Sequence, residues 1–478
     1  MVYDYPGNEY YEQYGVLEAV ISFDYSALVQ AIKDGCLIDC HNNYGTPLMV
    51  ALRNKYFNMT RYLIKNNCDV NKQVDYGNTA LMVASQFSGK YTVKQLLDKG
   101  ANIEASDYLY RTPLMWAVIS GNCSTTETLL ENGANMYKKC RDKKTVFIYA
   151  LDNKNFNIAK LLLKYGYDIN KKDEDKYKRT PLMHAIISRN RLAVEFLLDN
   201  QADIDKKDKL GKTALIYAIL HRNLNVVRLL VKYNLILFKD CANHIIQSVN
   251  KKYIDDQDEC KNTALMYAAG LGYIDIVKYL IKNCGNVDII NYKKKAVHKA
   301  IMNGHLNIVK LMIDSIDPNK CINPIILALK SEKKRVAKYL VEKLDKIFIQ
   351  DPEIVYWVVK KGYTSMIKSL VLKGYKLDGS KINTTPLIEA AKIKRIYVVK
   401  ALIRNGCNMK FKDENDMTFI DYLGPGYEKD LREAISDRNT LFRQCVTFIN
   451  KDNHRFNINK LSILPADILK FLWINWIN

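Results

Sequence analysis

A short pattern recurs along this chain at a nearly fixed step, and it restricts the fold more than any other feature. It reads "GTPLMVA" at Thr46, "NTALMVA" at Thr79, "RTPLMWA" at Thr112 and "KTVFIYA" at Thr145. It returns as "RTPLMHA" at Thr180, "KTALIYA" at Thr213, "NTALMYA" at Thr263, "TPLIEAA" at Thr385 and "MTFIDYL" at Thr418. The steps are 33, 33, 33, 35, 33 and 50 residues up to Thr263, and 33 again between the last two. Worn copies starting near Lys295, Asn323 and Pro352 fill the gap of 122 residues between Thr263 and Thr385. Each start has a physical reading. The threonine hydroxyl caps a helix, and proline suits its first turn because no N–H is lost there. The small alanine leaves room for a neighbouring backbone.

A second helix follows each start at a fixed offset. In "NIAKLLLKYG" (157–166), "DIVKYLIKNC" (275–284) and "YVVKALIRNG" (397–406), apolar residues fall at i, i+1, i+4 and i+5, which is one helical face. Gly100, Gly133, Gly166, Gly374 and Gly406 stand where a left-handed C-cap is expected. Asn67 can take that conformation, and Gln201 does so less easily.

The unit is therefore a short helix, a tight turn, a longer helix, a capped end and a polar link such as "ANIEASDYLYR". This resembles the ankyrin repeat, whose period is about 33 residues and whose signature is T-P-L-H-x-A. The resemblance covers residues 13–425 and implies an all-α fold, an ankyrin-repeat solenoid of about twelve helix pairs with a short helical C-terminal tail. Most copies carry Met or Ile in place of the signature histidine, with His298 the exception. Apolar packing is expected where the family has a hydrogen-bond network.

The domain reading has an N-terminal extension over 1–12, the repeats over 13–425, a helical connector over 426–455 and a tail over 456–478. An insertion over 235–261, with an extra helix expected near "ANHIIQSVNKK", is read either as a modifier of binding on one face or as a plain spacer. Gly424-Pro425-Gly426 stops the repeat pattern.

Composition excludes several function classes. The net charge is +21, but lysines are spread through every repeat and interleaved with acids, and the densest run is "YKKK". That reads as a solvated surface rather than a nucleic-acid footprint. Eleven cysteines, an odd number with no C-x-x-C pair, favour a reducing compartment over a disulfide framework. Cys36, Cys40 and His41 lie close together without a fourth ligand, so no metal is expected. The opening "MVYDYPGNEYYEQY" is acidic and unlike a secretory signal, and no apolar run is long enough to span a membrane. No phosphate loop, nucleophile elbow or zinc motif is present, and the seven histidines fall at unrelated repeat offsets; His221 and His305 fall in turns between paired helices. The chain reads as no enzyme, with no cofactor and no small-molecule substrate.

Binding remains. In the ankyrin family the residue between the signature His position and the small Ala faces the concave groove. On this sequence that position holds Val50, Val83, Trp116, Tyr149, His184, Tyr217 and Tyr267. The run from Trp116 to Tyr267 is the candidate partner-binding groove, because aromatics are the usual interface anchors. The alternative is that these side chains pack on the preceding repeat as core. Tyr44, Tyr76, Tyr110, Tyr177 and Tyr292, with Arg111 and Arg179, stand near the tips of the links as a second adhesive set. There the alternative is solvated turns.

The C-terminal "LSILPADILKFLWINWIN" resembles the start of an F-box, with Leu464, Pro465, Asp467 and Ile468 in its first helix. A shortened F-box after many ankyrin repeats is similar to the poxvirus ankyrin proteins with a PRANC domain; mimivirus-type ankyrin proteins are the alternative. The resemblance implies a viral substrate adaptor working in the host-cell cytoplasm, with the nucleus as the other compartment. A host protein would occupy the groove. Leu464, Pro465, Ile468, Phe471 and Leu472 would dock on the Skp1 subunit of a cullin ubiquitin ligase. The competing reading is a non-catalytic scaffold that binds or sequesters a partner, its tail merely capping the stack.

Overall fold

A computed structural model describes residues 7–172, 177–237, 252–283, 295–315, 323–344, 348, 351–375, 377, 385–424, 426–427 and 429–437. The described residues form helices, turns and two isolated β-bridges, Asn42 with Gly45 and Val74 with Asn78, and no strand. Among them no helix is long and apolar enough to cross a membrane. The extra helix foreseen in the insertion, "YKKK" with Tyr292, residues 438–455 and the whole tail with Leu464, Pro465, Ile468, Phe471 and Leu472 lie outside the described residues.

The chain divides into two compact units, Met1–Tyr233 and Asn234–Asn478. The first begins with the helices Gly7–Ile21 and Tyr25–Lys33, so the stretch assigned to an extension is already helical from Gly7. The pairs Pro47–Arg53 with Phe57–Lys65, Ala80–Phe87 with Lys90–Asp98 and Pro113–Ile119 with Cys123–Glu131 follow. Next are Val146–Asp152 with Phe156–Lys164, Pro181–Ile187 with Arg191–Asp199, and Ala214–Leu220 with Leu224–Leu237, whose last turn falls past Tyr233. In the second unit Ala264–Leu271 pairs with Ile274–Lys282, Ala296–Asn303 with Leu306–Met312, and Pro324–Lys330 with Lys334–Lys343. Glu353–Lys361 with Thr364–Leu372, Pro386–Lys392 with Ile396–Arg404, and Phe419–Leu423 complete it. Residues 429–437 are also helical and bury Ala434. From the helix Ile396–Arg404, Lys400 binds Asp430 and Glu433 at 2.8 Å, and Arg404 binds Asp437 at 2.7 Å. Part of the expected connector thus packs on the preceding repeat.

The repeated threonines explain the helix starts. Thr46, Thr79, Thr112 and Thr263 accept the amides of Met49, Met82, Met115 and Met266 on their hydroxyl oxygens at 3.3 Å. Thr180 and Thr385 do the same for Met183 and Ile388 at 3.4 Å. Such a cap is worth about 1 kcal/mol, and these threonines are buried, so water cannot replace the bond. The alanines Ala51, Ala84, Ala117, Ala150, Ala218, Ala268, Ala300 and Ala390 are completely buried where successive first helices pack side by side. At the signature position Met49, Met82, Met115, Met183 and Met266 are buried, whereas His298 accepts the amide of Lys295 on Nδ1 at 2.9 Å.

The helix ends close by one device. Gly133 takes φ +82 and the next amide, that of Ala134, returns to the Leu129 carbonyl at 3.0 Å. Gln201, a poorer fit on side-chain type, does the same: its φ is +64 and the Ala202 amide reaches Leu197 at 2.9 Å. The packed helix imposes the conformation there, overriding the residue's own preference. Between paired helices, side chains reach back to the repeat before. Asn122, Asn155 and Asn190 donate to the carbonyls of Ser88, Val118 and Leu151 at 3.0, 3.0 and 2.8 Å. His305 occupies this place in the second unit, with Nε2 at 3.0 Å from the Gly270 carbonyl, while His221 sits at the C-cap of its helix.

Candidate protein-binding surface

Many of the links between repeats are built around an aspartate five residues before the capping threonine. Asp107 accepts the amides of Leu109 and Arg111 at 2.9 and 2.8 Å on one carboxylate oxygen. Asp208 accepts those of Leu210 and Lys212 at 2.8 Å, and Asp258 that of Asn262 at 2.7 Å. The carboxylate thus fixes a tight turn by bonding its own following backbone. The chain passes through left-handed φ near each tip, at Tyr76 (+63), Tyr110 (+57), Lys143 (+61), Lys178 (+53) and Lys261 (+58). Neighbouring tips are tied together: the amides of Tyr108, Arg141 and Lys209 donate to the carbonyls of Tyr76, Leu109 and Tyr177 at 2.8, 2.8 and 2.6 Å.

The other oxygen of Asp208 and of Asp258 reaches a side chain proposed for the groove. Tyr217 donates its hydroxyl to Asp208 Oδ2 at 2.8 Å, and Tyr267 to Asp258 Oδ2 at 2.7 Å. Tyr149 donates to Cys140 Sγ at 3.2 Å. Burial, then the bond to Asp258, raises the Tyr267 phenol; burial, then Cys140, raises that of Tyr149. Both therefore stay protonated donors. Arg111 replaces a tyrosine hydroxyl at Asp107, with Nε 2.7 Å from Oδ2 and its guanidinium 4.1 Å over the Trp116 ring.

These contacts correct part of the groove reading. Tyr217 is buried, so it packs as core with its polar end spent on Asp208. Arg111 is turned onto Asp107 and Trp116. Trp116, Tyr149, His184 and Tyr267 are half-buried along the first helices. At the tips, Tyr177 and Arg179 are half-buried and stack on each other at 5.0 Å.

The early links differ. Tyr44, Tyr76 and Tyr110 are 63, 75 and 61 % exposed, and Tyr108, which the tip pattern passes over, is 70 % exposed. With Leu109 they give the first unit an exposed apolar edge on a hydrogen-bonded backbone. The signal for Tyr108 was the run "DYLYR", two tyrosines and a leucine in a turn where polar residues are the rule. The bridging aspartates also had one, an Asp at a constant −5 from Thr112, Thr213, Thr263 and Thr418. Cys36 and Cys40 are buried, and among the described residues no group of three potential ligands could hold a metal ion.

The family model described as ankyrin repeats (3 copies) matches residues 17–107, 106–173, 166–240 and 235–323. The chain belongs to the ankyrin-repeat family. An ankyrin repeat protein of fowlpox virus (strain NVSL) is 30% identical to it over 139 residues, 27% of this chain and 91% of that protein. A second from the same virus is 33% identical over 87 residues, 18% of this chain and 46% of that protein. One from Acanthamoeba polyphaga mimivirus is 28% identical over 142 residues, 29% of this chain and 16% of that protein. The chain therefore spans less than half the length of these last two relatives. Ankyrin repeats are protein–protein interaction modules, and this one offers half-buried aromatics along its first helices and exposed tyrosines on its early links.

Proposed function

We propose that the chain is a non-catalytic adaptor that holds a protein partner against the tyrosine edge of its first unit. The observation that carries this is the exposure of Tyr44, Tyr76, Tyr108 and Tyr110 on backbone the repeats hold in place. Tyrosine brings large contact area with few rotatable bonds, so a rigid row of them loses little entropy on binding.

The finer reading gives the adaptor a second end. Leu464, Pro465, Ile468, Phe471 and Leu472 would dock on Skp1, bringing the captured protein to a cullin ubiquitin ligase in an infected cell. The support is the F-box-like spacing at the end of an ankyrin array and the similarity to fowlpox proteins. A scaffold without ligase recruitment is the competing reading.

The test uses the tagged full chain beside a variant carrying Tyr76→Ser, Tyr108→Ser and Tyr110→Gly. The variant should keep the helical circular-dichroism spectrum and the melting temperature, because the altered side chains are exposed, and lose the proteins the wild type retains. Identical retained proteins would overturn the edge. Deleting residues 456–478 should remove Skp1 and cullin alone; their absence from the wild type would leave the scaffold reading standing.

A further inference from the structure

The second unit carries an arrangement that the aromatic pattern misses. In the worn copy near Pro352 the helix is Glu353–Lys361 and closes at Gly362 with φ +73. Gly272 and Gly304 close the preceding first helices nine residues after Thr263 and Lys295. Aligning the glycines shifts the register by one residue and puts Trp357 where Tyr267 stands three starts earlier. Trp357 is half-buried, and three ammonium groups surround it: Lys360, Lys330 and Lys361 lie 5.1, 5.5 and 5.8 Å from its ring centroid. Lys360 also lies 5.5 Å over the Tyr356 ring.

We propose that Trp357 with Lys330, Lys360 and Lys361 is a recognition site for an acidic segment of a protein partner. This rests on the reading of the chain as a protein-binding module and names a second surface for it. The ring attracts each cation through its negative face, but the cations repel one another, so the cluster favours an added negative charge. Glu353 lies 3.4 Å from Lys330 and Glu332 lies 2.5 Å from Lys361, and the latter pair is largely exposed on its acidic side. Two carboxylates against three ammonium groups leave one charge over, and a partner's carboxylates can exchange with those of the chain. The surroundings agree: residues 323–344, 351–375 and 385–404 hold fifteen Lys and Arg against five Asp and Glu.

A peptide suits the cluster better than a nucleic acid. The lysines gather round one ring instead of tracking a backbone, as a regular row of phosphates would require. Tryptophan supplies a flat apolar platform for the stems of glutamate side chains, and it is the residue type most enriched at binding hot spots.

The experiment titrates the full chain into a fluorescein-labelled decaglutamate peptide and follows anisotropy at moderate salt. Saturable binding is expected. Lys360→Glu should weaken it about tenfold or more, since it replaces an attraction with a repulsion at an exposed position. Trp357→Ala should do the same, and Lys160→Glu, on the first unit, should change nothing. Absence of binding by the wild type, an unchanged affinity in a folded Lys360→Glu variant, or tighter binding of a 20-base-pair DNA duplex would each overturn the site. The tyrosine-edge variant separates the two readings, because it should still bind decaglutamate. Loss of protein capture in that variant with the peptide still bound supports both surfaces.

Discussion

The Tyr217 hydroxyl donates to Asp208 Oδ2 across 2.8 Å, while Asp208 Oδ1 holds the amides of Leu210 and Lys212. One buried carboxylate therefore locks a first helix to the link that precedes it. A hydrogen bond to a charged acceptor contributes about 1.5–3 kcal/mol. Tyr217→Phe removes one such bond and is expected to destabilise the first unit by about that amount. Asp208→Ala removes three and should cost more. Urea unfolding followed by circular dichroism, with the double variant to close the cycle, checks both the order and the coupling.

Arg111 and Trp116 make a second bridge of this kind, stacked at 4.1 Å with Arg111 Nε on Asp107. Lysine keeps the charge but loses the planar fork and the stacking. Arg111→Lys should therefore destabilise by about 0.5–1 kcal/mol, and by less when Trp116 is already alanine. If the two substitutions add without coupling, the stacking contributes nothing to folding, and Trp116 is free to serve a partner alone.

The cysteines should divide by burial. Burial pushes the Cys40 thiol up to about 11 and the Cys68 thiol up to about 12, so almost no thiolate exists at neutral pH. Cys123 and Cys260 are exposed. Brief alkylation at pH 7.5, read by peptide mass spectrometry, should label Cys123 and Cys260 and spare Cys40 and Cys68 until denaturant is added. Early labelling of Cys68 would mean that the repeat opens locally far more often than its packing implies.

Much of the fold was legible because a 33-residue repeat states each instruction many times: threonine cap, small alanine, apolar face and glycine end. Where an instruction was local, such as Thr112 capping Met115, sequence was enough. At Gln201 the side-chain type does not announce the left-handed turn, which is imposed by the helix it ends. The candidate site was less legible, because exposure depends on pairings across a hairpin. Tyr217 and Tyr267 look alike in sequence and both bind an aspartate nine residues back, yet one is buried and the other half-buried. Trp357 was hidden for another reason: Pro352 suggests a helix start, and only Gly362 reveals the true register.

The last described repeat should loosen in acid before the others, and Asp413 gives the sign. Its Oδ2 accepts the Tyr422 hydroxyl at 2.6 Å, and Lys392 stands 3.3 Å away. The amides of Asn415 and Met417 donate to its other oxygen at 3.0 and 3.2 Å. The Tyr422 bond foremost, with those amides and Lys392, holds the carboxyl down at about 2 against an ordinary 3.8. A carboxylate with a lowered value in the folded state stabilises folding above its unfolded value, and the contribution disappears as pH falls through the folded one. Asp421, held low by Thr418, and Glu433, held low by Lys400, act in the same direction. Stability here should thus be steady above about pH 4.5 and fall toward pH 2. Tyr422→Phe removes the largest cause of the Asp413 shift. The stability gap between wild type and this variant should be widest above about pH 4 and close as pH falls through about 2, where Asp413 takes up its proton in the folded wild type as well. Urea unfolding at several pH values, followed by proteolytic nicking within residues 405–437, measures that gap. A gap that stays constant from pH 2 to pH 7 would show that the tyrosine stabilises the repeat by packing alone.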